Sequence, residues 1–181
     1  MNLISLALVV AIAVGPVRSQ STQPPSAQTV INDALKTARQ QNKTVFIHFG
    51  ASWCKWCKEL DAMLVSPEVG ELIADHFVLV NLTVQESDDK KSLENPGAQQ
   101  LMNKNQAGKA GVPYYLFLDK NGKKLADSLA MPERGNIGYP ATPEEIKTFG
   151  GLLPKAAPRM TSAEQALITE YLTKHAPKQN P

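Results

Sequence analysis

Two periodicities of apolar residues divide this chain into elements. Val30, Ile31, Ala34, Leu35 and Ala38 recur at helical spacing and predict an amphipathic helix ending near Gln41. Thr44 to Phe49, TVFIHF, is β-branched and aromatic, with the near-continuous apolarity of a strand covered on both faces. A helix is expected from about Cys54 to Leu64. Ser66-Pro67 then restarts it to about His76, with Ser as N-cap and Pro in the first turn. Phe77 to Val84 predicts the next strand, Gln85 to Gly97 a charged, solvated loop, and Ala98 to Gln106 a short helix. Tyr114 to Leu118 and Lys124 to Leu129 predict two strands, joined by a hairpin at Asn121-Gly122 because both residues tolerate positive φ. Met131 to Thr142, rich in Pro and Gly, reads as a surface connection rather than a lid. Two helices, roughly Pro143 to Leu153 and Ser162 to His175, complete the pattern.

Strands joined by a helical crossover run parallel, whereas the hairpin is antiparallel. The expected fold class is therefore α/β: a central mixed sheet of about four strands, helices on both faces, and extra C-terminal helices. No internal repeat and no second core of useful size are visible.

The first residues follow a different rule. Leu3 to Val14 is a run of about a dozen mostly apolar residues, the length of a signal-peptide core rather than of a membrane span, and Gly15-Pro16 ends it. Residues 1–19 are expected to be a signal peptide cut after Ser19, although no Lys or Arg precedes the apolar run. Residues 20–26, QSTQPPS, read as a disordered linker, 27–175 as the domain, and 176–181 as a fraying tail. This implies export to the periplasm or outside the cell, with no membrane association after cleavage. A formal charge of +2 gives no electrostatic case for nucleic acid.

An oxidising compartment changes the meaning of the two cysteines, Cys54 and Cys57 in FGASWCKWCKEL. Three readings compete. As a staple, so short a loop removes only about 2 kcal/mol of unfolded-state entropy, between residues a helix already holds together. As a zinc site the pair needs two further ligands, and His48, His76 and His175 are not at suitable spacing. As a redox couple it is well placed, because Cys54 follows a strand and opens a helix. Unpartnered N–H groups and the positive end of the helix dipole there stabilise a thiolate, and Lys55 acts in the same sense. The outer, exposed sulfur of Cys54 is expected to attack, and Cys57, one turn in, to resolve. No metal or small-molecule cofactor is needed.

Trp53-Cys54-x-x-Cys57-Lys58 after a hydrophobic strand, with Gly111-Val112-Pro113 leading into a later one, resembles the thioredoxin superfamily over about Lys43 to Leu129. Ser66 to Leu82 looks especially like exported thioredoxin-like domains of the thiol-disulfide interchange type. The resemblance implies a thioredoxin fold, Cys54 as nucleophile, Cys57 as resolving thiol, a redox disulfide between them, and a cis Val112-Pro113 peptide facing the sulfurs. It implies a protein thiol-disulfide oxidoreductase acting on protein disulfides, with electrons from an upstream redox partner protein and the reductase or isomerase direction expected. The alternatives are a thioredoxin-fold binding or chaperone module and a thiolate site delivering a soft metal.

Departures from thioredoxin itself are Lys55-Trp56 between the cysteines, Ala62 in place of a mid-helix proline, and His48 at the position of the buried acid. His48 is a candidate to take the proton that Cys57 must lose. Trp53 is expected to pack at the sheet edge and shield the sulfurs, and Trp56 to lie exposed as an apolar surface for substrates. Lys58, His76 and His175 need no role beyond solvated charges near helix ends.

Overall fold

The structure, a computed structural model, describes residues 23–177. The signal peptide expected over 1–19 lies outside them, as do residues 20–22 of the linker and the end of the tail. Pro25 and Ser26, the last linker residues, are tied down: Asn95 Nδ2 donates to the Pro25 carbonyl (2.8 Å), and Ser26 Oγ accepts from Thr29 N (3.1 Å). That bond caps α1 (Ala27–Gln41), which ends where Asn42 turns left-handed at φ 53°.

The central strand β1 (Thr44–Gly50) pairs in parallel with β2 (Phe77–Thr83) and antiparallel with β3 (Tyr114–Leu118), which pairs antiparallel with β4 (Lys124–Asp127). The order is β2-β1-β3-β4. Between β1 and β2 lie α2 (Lys55–Leu64) and α3 (Gly70–His76); α4 (Ala98–Lys104) precedes β3; α5 (Pro143–Ala156) and α6 (Ser162–His175) follow β4. The expected mixed sheet between two helical layers is present. Val45, Ile47 and Phe49 pack under α1 and α4. Phe46, Tyr115 and Phe117 point the other way, into a core with α2, α3, α5 and α6. Phe46 and Phe117 meet there at 4.6 Å between ring centroids.

Local chemistry corrects several details. Ser66 Oγ accepts from Val69 N (3.2 Å), but it caps a turn, and α3 begins only at Gly70. A Cβ at Gly70 would lie 2.8 Å from the Val65 carbonyl carbon, so the chain needs glycine where it bends back against the end of α2. The hairpin uses positive φ only at Gly122 (88°). Asn121 is instead held by the Asp119 carboxylate, which accepts from Asn121 N and Lys123 N, giving a three-residue loop in place of the two-residue one. Strand β4 ends at Asp127 rather than Leu129, because Asp127 Oδ1 accepts from Leu129 N and turns the chain. The charged stretch after β2 contains a 3₁₀ turn, Asp88–Leu93, and α5 continues through Pro154 to Ala156. Met131 to Thr142 is no surface connection: Ile137 and Tyr139 within it are buried.

At the end of α6, Lys174 Nζ (2.6 Å) and His175 Nε2 (2.9 Å) both hold the Glu68 carboxylate. These hydrogen bonds keep Glu68 below its usual value of 4.5. A depressed carboxylate stabilises the fold above that value, and the contribution is lost as pH falls through the lower folded value. Glu68→Gln should therefore lower the urea midpoint at pH 5.5 and narrow the gap between pH 5.5 and pH 3. Parallel loss in both proteins would mean that this contact carries none of the acid sensitivity. The group is exposed, so the effect is small.

Candidate active site

Cys54 is the N-cap of α2, with extended φ/ψ of −79° and 108°. Its sulfur accepts from Cys57 N at 3.1 Å, and its own N–H donates to the Ala51 carbonyl at 3.0 Å. Cys54 and Cys57 form a disulfide, with Cα atoms 5.3 Å apart. The expectation of an exposed outer sulfur is not met in this state: both cysteines are only 3% exposed. The cause is local packing, since Ala51 and Val112 close over the pair. The Val112–Pro113 peptide is cis, and the Val112 carbonyl oxygen lies 3.6 Å from Cys54 Sγ. Cys57 instead lines a cavity of ≈ 380 Å³ with His48, Gly50, Asp61 and Glu86.

His48, on β1, is 3% exposed and aims Nδ1 at Asp61 Oδ1, 2.8 Å away. An ionised carboxylate only accepts, so the neutral imidazole carries its proton on Nδ1 and leaves a lone pair on Nε2. That Nε2 is buried and meets no hydrogen-bond partner among the described residues. Gly50 explains where it looks. A Cβ at Gly50 would sit 3.1 Å from His48 Nε2 and 3.3 Å from Cys57 Cβ, so imidazole and Cys57 face each other across the room a side chain would take. Asp61 is half-exposed and also accepts from Asn81 Nδ2 at 3.3 Å, linking the histidine to solvent.

The loop before Cys54 is pinned by a buried carboxylate. Glu86 is 3% exposed and accepts from both Ser52 N and Ser52 Oγ. Trp53 does not shield the sulfurs as expected: it is 58% exposed, held by its indole N–H donating to the Gln85 carbonyl at 2.9 Å. Gln85, at φ 55°, turns the chain out of β2 and presents that carbonyl. Trp56, 39% exposed, stacks on Tyr139 at 5.7 Å and 13°, and Lys55 Nζ lies 5.5 Å over its ring. Lys58 is exposed, but His76 is buried and faces Glu164 at 3.5 Å.

Asp61, Glu86 and Tyr139 are absent from the sequence-derived set. Asp61 carries a signal, since it stands one helical turn beyond Cys57 and shares its face. Glu86 and Tyr139 have none, because each is brought in by a loop whose composition reads as solvated.

A thioredoxin-like family model matches residues 26–120, more than half of the chain. The chain belongs to the thioredoxin-like family. Over 92 residues the chain is 32% identical to the thiol:disulfide interchange protein DsbD of Photorhabdus laumondii subsp. laumondii, covering 50% of this chain and 14% of that relative. The chain thus spans about a seventh of the length of the curated relative it matches. Among solved structures it is similar to a disulphide isomerase from Xylella fastidiosa Temecula1 (TM-score 0.48, 19% identity, covering 92% of this chain and 98% of that one). It is also similar to the C-terminal domain of Neisseria meningitidis DsbD in the reduced form (TM-score 0.40, 24% identity, covering 56% and 83%). The thioredoxin-like match ends at residue 120, before Asn136 and Tyr139. Among the described residues, no helix is long and apolar enough to cross a membrane.

Proposed function

We propose that this chain is an exported thiol-disulfide oxidoreductase acting on protein disulfides. The observation that carries the reading is the Cys54–Cys57 pair at the start of α2, with a backbone N–H on the Cys54 sulfur and the Val112 edge beside it.

The cycle starts from the dithiol. The Cys54 thiolate attacks one sulfur of a substrate disulfide; that bond breaks, a mixed disulfide forms on Cys54, and the first substrate cysteine leaves as a thiolate that takes up a proton. Cys57 then loses its proton to His48 Nε2 and attacks Cys54 Sγ. The second substrate cysteine leaves, and the electron pair has passed to the substrate. An upstream dithiol protein returns the pair to Cys54–Cys57. Within the cycle, Val112 offers its backbone edge to the substrate segment, Pro113 fixes that edge, and Asp61 holds the imidazole in its tautomer.

Reduction or isomerisation is the favoured direction. Asp61 and Glu86 line the cavity that Cys57 lines, and nearby negative charge disfavours a thiolate. Destabilising the dithiolate form favours the disulfide and makes the pair a better donor. The test is insulin reduction with a small dithiol as electron source. The expected result is precipitation of the insulin B chain well ahead of the dithiol alone. A rate equal to that of the dithiol would sink the enzyme reading and leave a binding module.

A further inference from the structure

The loop that carries Val112 is held by one side chain from the segment after β4, Asn136. Its Nδ2 donates to the Ala110 carbonyl (3.2 Å) and to the Pro113 carbonyl (2.9 Å), while its Oδ1 accepts from Ser128 Oγ (2.7 Å) and Gly138 N (3.3 Å). The amide can point only this way, because a carbonyl only accepts and a backbone N–H only donates.

Part of this pattern is local. An asparagine oxygen that accepts from the N–H two residues on makes an ordinary turn, and aspartate or serine would make it as well. The two N–H groups are a different matter, since they reach carbonyls 26 and 23 positions away in the chain. Backbone conformation does not call for asparagine either: the left-handed residue of this turn is Gly138, at φ 64°. What the donors hold is the span Gly111-Val112, bracketed by the two carbonyls. Gly111 is left-handed at φ 71°, and a Cβ there would meet nothing within 4 Å, so no packing around it fixes the span. The Val112 carbonyl oxygen, 3.6 Å from Cys54 Sγ, belongs to the edge on which a substrate segment would pair.

We infer that Asn136 is a positioning residue for disulfide exchange, whose two N–H donors fix the Val112 edge where a paired substrate strand needs it beside Cys54. The inference rests on the proposed exchange activity. A peptide disulfide uses the edge through its own backbone amides, so its rate depends on where the edge stands. A small disulfide without such amides meets only the sulfur. Loosening the edge therefore penalises the first far more than the second, and a misplacement of about 1 Å can cost up to about a hundredfold.

The test measures kcat/KM for a disulfide-bonded peptide and for hydroxyethyl disulfide, in denaturant-free buffer where each variant is folded. Asn136→Asp keeps the size of the side chain and the oxygen that makes the turn, but an ionised carboxylate has no N–H to donate. It should lower the ratio of peptide to small-disulfide kcat/KM by about tenfold. Asn136→Ala removes the same donors without adding a charge; it should lower the ratio similarly, and it preserves the test if Asn136→Asp does not fold. Equal loss on both substrates would make Asn136 a general packing residue, and no loss on either would leave it only its turn. Each of these results overturns the inference and leaves the exchange reading standing. Wild type that turns over neither the peptide nor insulin would instead overturn the exchange reading, and the inference with it.

Discussion

Cys54→Ser should abolish disulfide exchange, lowering it by about a thousandfold or more, whereas Cys57→Ser should still react once and accumulate a covalent adduct. Cys54 is the helix N-cap, receives the Cys57 N–H at 3.1 Å and touches the Val112 edge, where a substrate strand would lie. Cys57 sits inside α2 and lines the His48 cavity. Without Cys57 the mixed disulfide has no internal attacker, so non-reducing electrophoresis followed by mass spectrometry should show substrate joined to Cys54. The burial of both cysteines in the disulfide gives this experiment its force, because static exposure does not separate their roles. If the adduct instead appears on Cys57 in the Cys54→Ser protein and not the reverse, the two roles must be exchanged.

The second large effect concerns the proton. His48→Ala should slow resolution of the mixed disulfide by about a hundredfold at pH 7, as expected for loss of a positioned base, while leaving the first attack by Cys54 nearly unchanged. Stopped-flow tryptophan fluorescence separates these steps, since Trp53 precedes Cys54 and Trp56 stands between the two cysteines. The defect should shrink as pH approaches about 8.5, where a free thiol ionises without help. Asp61→Asn should give a smaller loss, by relaxing the choice of tautomer that the 2.8 Å contact imposes. A defect equal in both steps, or constant from pH 7 to 9, would assign His48 to packing alone.

Much of this architecture could be read from local pattern. TVFIHF identified a strand buried on both faces, and the cysteine spacing at its end placed Cys54 at a helix start. Such features depend on near neighbours in the chain, so sequence carries them directly. The His48–Asp61 contact is half legible: the histidine stands out as a polar residue in an apolar run, whereas Asp61 is marked only by its place one helical turn beyond Cys57. Glu86 was hidden because QESDDK reads as solvated, yet the Ser52 amide and hydroxyl compensate the burial of its carboxylate. Tyr139 was hidden because its partner is more than eighty positions away. Trp53 departs from expectation for a related reason: its size favours burial, but a backbone carbonyl at Gln85 holds it outside.

Gly50 sets a tolerance of a single carbon atom at the centre of the molecule. A methyl group there would stand 3.1 Å from His48 Nε2 and 3.3 Å from Cys57 Cβ, so close that one of these side chains would have to give by a few tenths of an ångström. Glycine at this position thus leaves clear the space beside the imidazole nitrogen and the inner cysteine that any larger residue would occupy.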